Sequence, residues 1–167
     1  YGTLDTRITR AIRLLSGCAN NTLTQRNSNP AFWVRPTTVL ATTYEGVVRQ
    51  ANALCDTTAE AIRLLEAARP HVKLNAQDLD YLLFAARRLH FIGRMRQIHF
   101  AAARQYSEAL LRFPETQPAA EALAAALQGA DEMVSTVEDL RSEYRRLWLL
   151  ENRPWWLKEM AGKYDSL

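Results

Sequence analysis

The chain has 167 residues, 48% of them hydrophobic and 23% charged, which is enough length and apolar side chain for one folded core. Its formal net charge of +3 is small and dispersed, which argues against a nucleic-acid partner, and no apolar run reaches the roughly 18 residues of a membrane span. Gly and Pro number six each while Ala and Leu are abundant, a balance that favours helix.

The predicted elements begin with a short amphipathic helix over residues 4–16. Leu4, Ile8, Ala11, Ile12 and Leu15 share a face, Arg7, Arg10 and Arg13 lie off it, and Gly17 is the expected C-cap. Residues 18–36 follow as an irregular segment rich in Asn, Thr and Ser. It ends in Phe32-Trp33-Val34-Arg35-Pro36, an apolar patch expected to pin the segment on a neighbouring surface.

Thr37 or Thr38 then caps a first long helix. Its seam runs Leu40, Tyr44, Val47, Ala51, Leu54, Thr58, Ala61, Leu65, Ala68, a 4-3-4-3 spacing in which Thr58 is the one polar member. Pro70 stops it. The turn His71–Leu74 leads to Asn75 as cap, with Asp78 placed to complement the helix dipole.

A second long helix is predicted over 76–112. It has a wide apolar face (Leu79, Leu82, Leu83, Ala86, Leu89, Ile92, Met95, Phe100, Ala103, Leu110) and a second stripe of Phe84, Phe91, Ile98 and Ala102. Two stripes imply contact with more than one neighbour. Pro114 and Pro118 bracket the next turn. A third long helix over 118–152 has the seam Leu123, Ala126, Ala130, Met133, Val137, Leu140, Tyr144, Leu147. Asn152-Arg153-Pro154 breaks it, and Trp155 to Lys163 form a short closing helix.

The expected architecture is all-α: an antiparallel bundle of three long helices with a short N-terminal helix and a short C-terminal closing helix, because short Pro-bearing connections return each rod along its neighbour. Residues 1–36 supply the short helix and packing segment, residues 37–167 the bundle, together one domain. The sequence opens at Tyr1 rather than Met and has no signal-peptide pattern, which reads as an excised segment or a processed form.

The reactive residue types are present in the wrong patterns for chemistry. Glu138, Asp139, Glu143 and Glu151 have Arg141, Arg145 and Arg146 at helical spacing, so surface ion pairs are expected in place of an acid–base pair. His90 and His99 are nine positions apart, half a rotation on a helix, and cannot share a metal. Arg87-Arg88 and Arg94-x-Arg96 form a basic stripe, diluted by Asp78, Asp80 and Glu108 and expected to meet carboxylates or solvent. Cys18 and Cys55 read as partly buried thiols, with one disulfide as the alternative, and Asn20-Asn21-Thr22 matches a glycosylation sequon. No catalytic residue, cofactor or metal site is expected in this chain.

The densest feature is Tyr144 to Leu157, with Trp148, Trp155 and Trp156 in nine residues. Such rings either plug a bundle end, dock on an adjoining domain or stack on sugars. The segment Glu-Tyr-Arg-Arg-Leu-Trp-Leu-Leu-Glu-Asn-Arg-Pro-Trp-Trp-Leu, residues 143–157, resembles the EYxxLWLxENRPxWL pattern of the C-terminal helical region of bacterial glycoside hydrolases, particularly family 20 β-N-acetylhexosaminidases. In that family a (β/α)8 barrel with an Asp–Glu pair does the catalysis, and this chain has no βα alternation. The resemblance therefore implies a non-catalytic accessory domain of a secreted or periplasmic carbohydrate-active enzyme, bracing the barrel or an oligomer interface. Its partners would be the parent's catalytic domain, a second copy of the chain, or a glycan. Trp148, Arg153, Trp155, Trp156 and Trp33 are the candidate contacts. The alternatives are a free-standing helical interaction module and a Trp-based sugar-binding module.

Overall fold

The computed structural model describes residues 5–18, 20, 41–111, 116–152 and 157–162. The described residues are helical with no strand: α1 (Thr6–Gly17), α2 (Ala41–Ala68), a 3-10 turn (Arg69–His71), α3 (Ala76–Leu111), α4 (Thr116–Glu151) and α5 (Leu157–Ala161). The α3 and α4 helices have 36 residues each, about 54 Å at 1.5 Å per residue. The expected cap at Thr37 or Thr38 and the apolar patch Phe32–Pro36 lie outside the described residues.

Helix ends follow local chemistry. Asp5 caps α1, its carboxylate accepting the Arg7 backbone N–H at 2.8 Å and the Arg7 Nε–H at 3.0 Å. The C-cap of α1 is Cys18 and not Gly17: the Cys18 N–H closes back on the Leu15 carbonyl at 2.9 Å, and no glycine among the described residues takes a positive φ. Ile12, expected on the buried face, is 39% exposed, because Ile8, Ala11 and Leu15 already fill the contact stripe with α2. Asn75 stands before α3 at φ 53°, a left-handed conformation that Asn tolerates, and its carbonyl accepts the Asp78 N–H at 2.9 Å. Pro118 falls in the first turn of α4, where its missing N–H is not needed.

Packing explains the two stripes of α3. One stripe joins α1 and α2 in a core of Ile8, Ala11, Leu15, Ala61, Leu64, Leu65, Ala68, Leu79, Leu83 and Ala86. The other meets α4 through Phe91 and Leu140, with Phe84, Met95, Met133, Val137 and Tyr144 against them. The α2 seam is buried where it was expected to be, at Ala51, Leu54, Thr58, Ala61, Leu65 and Ala68. Burying each large apolar side chain of these clusters contributes about 1.5–3 kcal/mol, before the entropy of ordering it.

The seam between α2 and α3 is made of small groups. Gly93 lies so near α2 that a Cβ there would meet Cys55 Sγ at 2.6 Å and the Ala51 carbonyl oxygen at 3.2 Å. Thr58 is fully buried in this seam, and its hydroxyl lies 2.7 Å from the Leu54 carbonyl of its own helix. Helices α2 and α4 both pack along α3 and make no comparable contact with each other. Contact pairs run in opposite directions along neighbouring helices. Asp80 meets Arg146 while Arg94 meets Glu132, and Glu66 meets Arg87 while Asn52 meets Gln97.

Candidate functional site

The end of the helix assembly where α4 finishes and a cleft along α3 and α4 both carry polar chemistry.

At the α4 end, Asp80 joins three elements. Its carboxylate accepts Arg69 from the 3-10 turn at 2.7 Å and Arg146 from α4 at 3.2 Å, and Arg146 also holds Glu143 at 2.8 Å. The Glu143 carboxyl is held below its ordinary range, first by its hydrogen bond from Arg146 and then by the charges of Arg146, Arg87 and Arg69, against the opposing effect of partial burial. Arg146 is pushed up by the same Glu143 bond and by Asp80. The Tyr81 hydroxyl donates to the Leu147 carbonyl at 3.4 Å, and burial raises its pKa.

Trp148 is half-buried in this region. Its ring centroid is 5.8 Å from that of Tyr144, which lies 5.9 Å from Phe84, so the indole belongs to an aromatic row between α3 and α4. The next two residues, Leu149 and Leu150, are 46% and 54% exposed, and Leu74 in the turn before α3 is 83% exposed. The other named candidates, Trp33, Arg153, Trp155 and Trp156, lie outside the described residues. Beyond them, Leu157 and Ala161 of α5 are buried.

The cleft has a volume of about 550 Å³. Phe84, Phe91 and Leu140 make its apolar lining with Ile62 of α2. Arg87, His90 and Arg94 project from α3, and Glu132, Thr136, Asp139 and Glu143 from α4. Arg87 donates to Glu66 at 3.2 Å, and Arg94 binds Glu132 at 2.6 Å and Gln97 at 2.8 Å. Two of the four arginines of the basic stripe, Arg87 and Arg94, thus meet carboxylates.

His90 Nδ1 lies 3.1 Å from the Thr58 hydroxyl oxygen. With the Thr58 hydrogen directed at the Leu54 carbonyl at 2.7 Å, the hydroxyl accepts from His90 Nδ1–H. That bond orients the imidazole in the cleft wall. His99 is elsewhere, its ring edge-on to Phe100 at 5.6 Å.

Cys18 and Cys55 are both buried free thiols, the first of the two readings from sequence. Burial pushes both above the ordinary thiol range, which suppresses their reactivity. Among the described residues no group of three His, Cys, Asp or Glu is placed to hold a metal ion, and no helix is long and apolar enough to cross a membrane. Sequence reasoning placed Arg87, Arg94, Asp139 and Glu143 on helix faces but did not assemble them into a cleft.

Comparison with models of known protein families, with curated proteins and with solved structures finds no match to this chain.

Proposed function

We propose that this chain is a non-catalytic helical docking domain, an antiparallel bundle of three long helices whose α4 end seats against a larger partner. The observation that carries the reading is the adjacent pair Leu149 and Leu150, exposed by 46% and 54% at the finish of a helix otherwise rich in charge. Leu74 lies at the same end, beside the start of α3. Apolar side chains grouped at one end suit contact with another protein surface. The Asp80 ion-pair network supports the role, since it ties α3, α4 and the 3-10 turn together next to that surface.

The partner class comes from residues 143–157, which resemble the C-terminal helical region of family 20 glycoside hydrolases. On that reading the domain is an accessory part of a secreted or periplasmic carbohydrate-active enzyme and braces its barrel. The experiment is to purify the chain with and without Leu149→Arg and Leu150→Arg, and to follow its association with the parent catalytic domain. Association lost in the double variant, with no turnover of an aryl N-acetylglucosaminide by the isolated chain, is the expected result. Turnover by the isolated chain removes the reading.

The same leucines favour a second reading, a free-standing module that pairs with its own copy. Sedimentation of the isolated chain separates the two: a tight dimer abolished by the double variant supports self-association, a monomer supports the accessory role.

A further inference from the structure

Opposite charges close directly across α3 and α4 at two levels, Asp80 with Arg146 and Arg94 with Glu132. Along each helix the two members are 14 residues apart, so the midpoint of the interval brings Arg87 level with Asp139. At that level the charges do not meet. Arg87 turns to Glu66 of α2 through a single η N–H, leaving its ε N–H without a described partner. Asp139 is exposed and pairs with no described residue. Between them lies the 550 Å³ cleft with its apolar lining of Phe84, Phe91 and Leu140.

We propose that this cleft is a binding site for a small zwitterion with an apolar body, of which a hydrophobic α-amino acid is the simplest. The carboxylate takes the free N–H groups of Arg87, and the ammonium takes the Asp139 carboxylate. The apolar body covers the phenyl and leucyl side chains beneath. Charge selects this class. A lone anion in the cleft faces Glu132, Asp139 and Glu143, and a lone cation faces Arg87 and Arg94. Only a ligand with both signs matches both walls. Bidentate acceptance by a carboxylate also suits a guanidinium that uses only one of its five donors. The proposal does not depend on what docks at the α4 end.

The test is calorimetric titration of the 167-residue chain with L-phenylalanine, L-leucine, phenethylamine and 3-phenylpropionate. An amino acid is expected to bind about tenfold or more tighter than either single-charge analogue, the scale of one charge-assisted hydrogen bond. Asp139→Asn should weaken the amino acid about tenfold and not weaken 3-phenylpropionate; Arg87→Gln should weaken it similarly and not weaken phenethylamine. Both positions are exposed, and unchanged helical circular dichroism verifies that each variant folds. No heat from either amino acid at millimolar concentration, equal affinity for all four probes, or amino-acid affinity untouched by both substitutions overturns the proposal.

Discussion

Gly93→Ala probes the closest approach of α2 and α3. In a helix interior, Gly to Ala ordinarily stabilises by about 1 kcal/mol, because the chain loses less entropy on folding. At Gly93 that gain meets an obstruction. A Cβ would sit 2.6 Å from Cys55 Sγ, 3.2 Å from the Ala51 carbonyl oxygen and 3.3 Å from the Cys55 backbone nitrogen. An ordinary carbon contact is about 3.5–4 Å, so the sulfur must retreat by roughly 1 Å. Two of the three obstructing atoms are α2 backbone, which no rotamer change moves; the helices must separate. Overpacking of this kind costs about 1–3 kcal/mol, and the upper part of that range applies when backbone must shift. Set against the helix-propensity gain, the net is about 1–2 kcal/mol of destabilisation.

Two other helical glycines serve as controls in the same protein. Gly46 has nothing within 4 Å of a built Cβ, so Gly46→Ala should stabilise by up to about 1 kcal/mol. Gly129 meets only the Ile98 side chain, at 2.7 Å from its Cγ2, and a rotation of that side chain relieves it; Gly129→Ala should fall between the other two. Urea unfolding followed by circular dichroism gives the order from the midpoints, provided the slopes agree. Cys55→Ala added to Gly93→Ala should recover part of the loss and leave the part due to the Ala51 carbonyl. If Gly93→Ala is stabilised like Gly46→Ala, the close packing of α2 on α3 is refuted.

Asp80→Asn should cost about 1–2 kcal/mol, more than one exposed pair, since one partly buried carboxylate serves both Arg69 and Arg146; denaturant midpoints for Asp80→Asn and Arg146→Gln, alone and combined, should be non-additive. Thr58→Val should cost about 1–2 kcal/mol by leaving His90 Nδ1 without its hydroxyl partner, and the imidazole proton resonances of His90 should shift in the variant. The Arg7 side-chain and backbone hydrogen bonds depress the Asp5 carboxyl from an ordinary 3.8 to about 2. Because the folded value is the lower one, its stabilisation is complete above about pH 4 and is lost as pH falls toward 2. Asp5→Asn, which keeps a capping side chain, should flatten that part of the stability–pH curve, and an unchanged acid limb would exclude the assignment.

Much of the helix layout was legible because it follows from single-chain periodicity. The α2 seam through Thr58 and the double stripe of α3 each depend on how often an apolar residue recurs along one rod, and burial follows those positions. Pro70 and Asn75 marked the turn between α2 and α3 through their own backbone preferences. The misses arose where neighbours decide. Ile12 has the right spacing for a buried face, but Ile8, Ala11 and Leu15 already complete the contact with α2. Gly17 had the composition of a C-cap, and the chain instead ends the helix with a tighter turn at Cys18.

The cleft escaped for a deeper reason. Whether Arg87 meets Asp139 depends on the register between α3 and α4, and periodicity within either helix is silent on register. The close contact of Gly129 with Ile98 and the pairing of Asp80 with Arg146 set that register. Arg87 is also drawn away by Glu66, a residue of the third helix in the contact. An open charge pair over an apolar floor is therefore a property of three helices at once. Shifting α4 by a single turn would bring Arg87 level with Glu143 or with Ser135, and would dissolve both the Asp80–Arg146 and Arg94–Glu132 bridges together. The same two bridges that hold the assembly in register thus keep Arg87 level with Asp139 along the cleft.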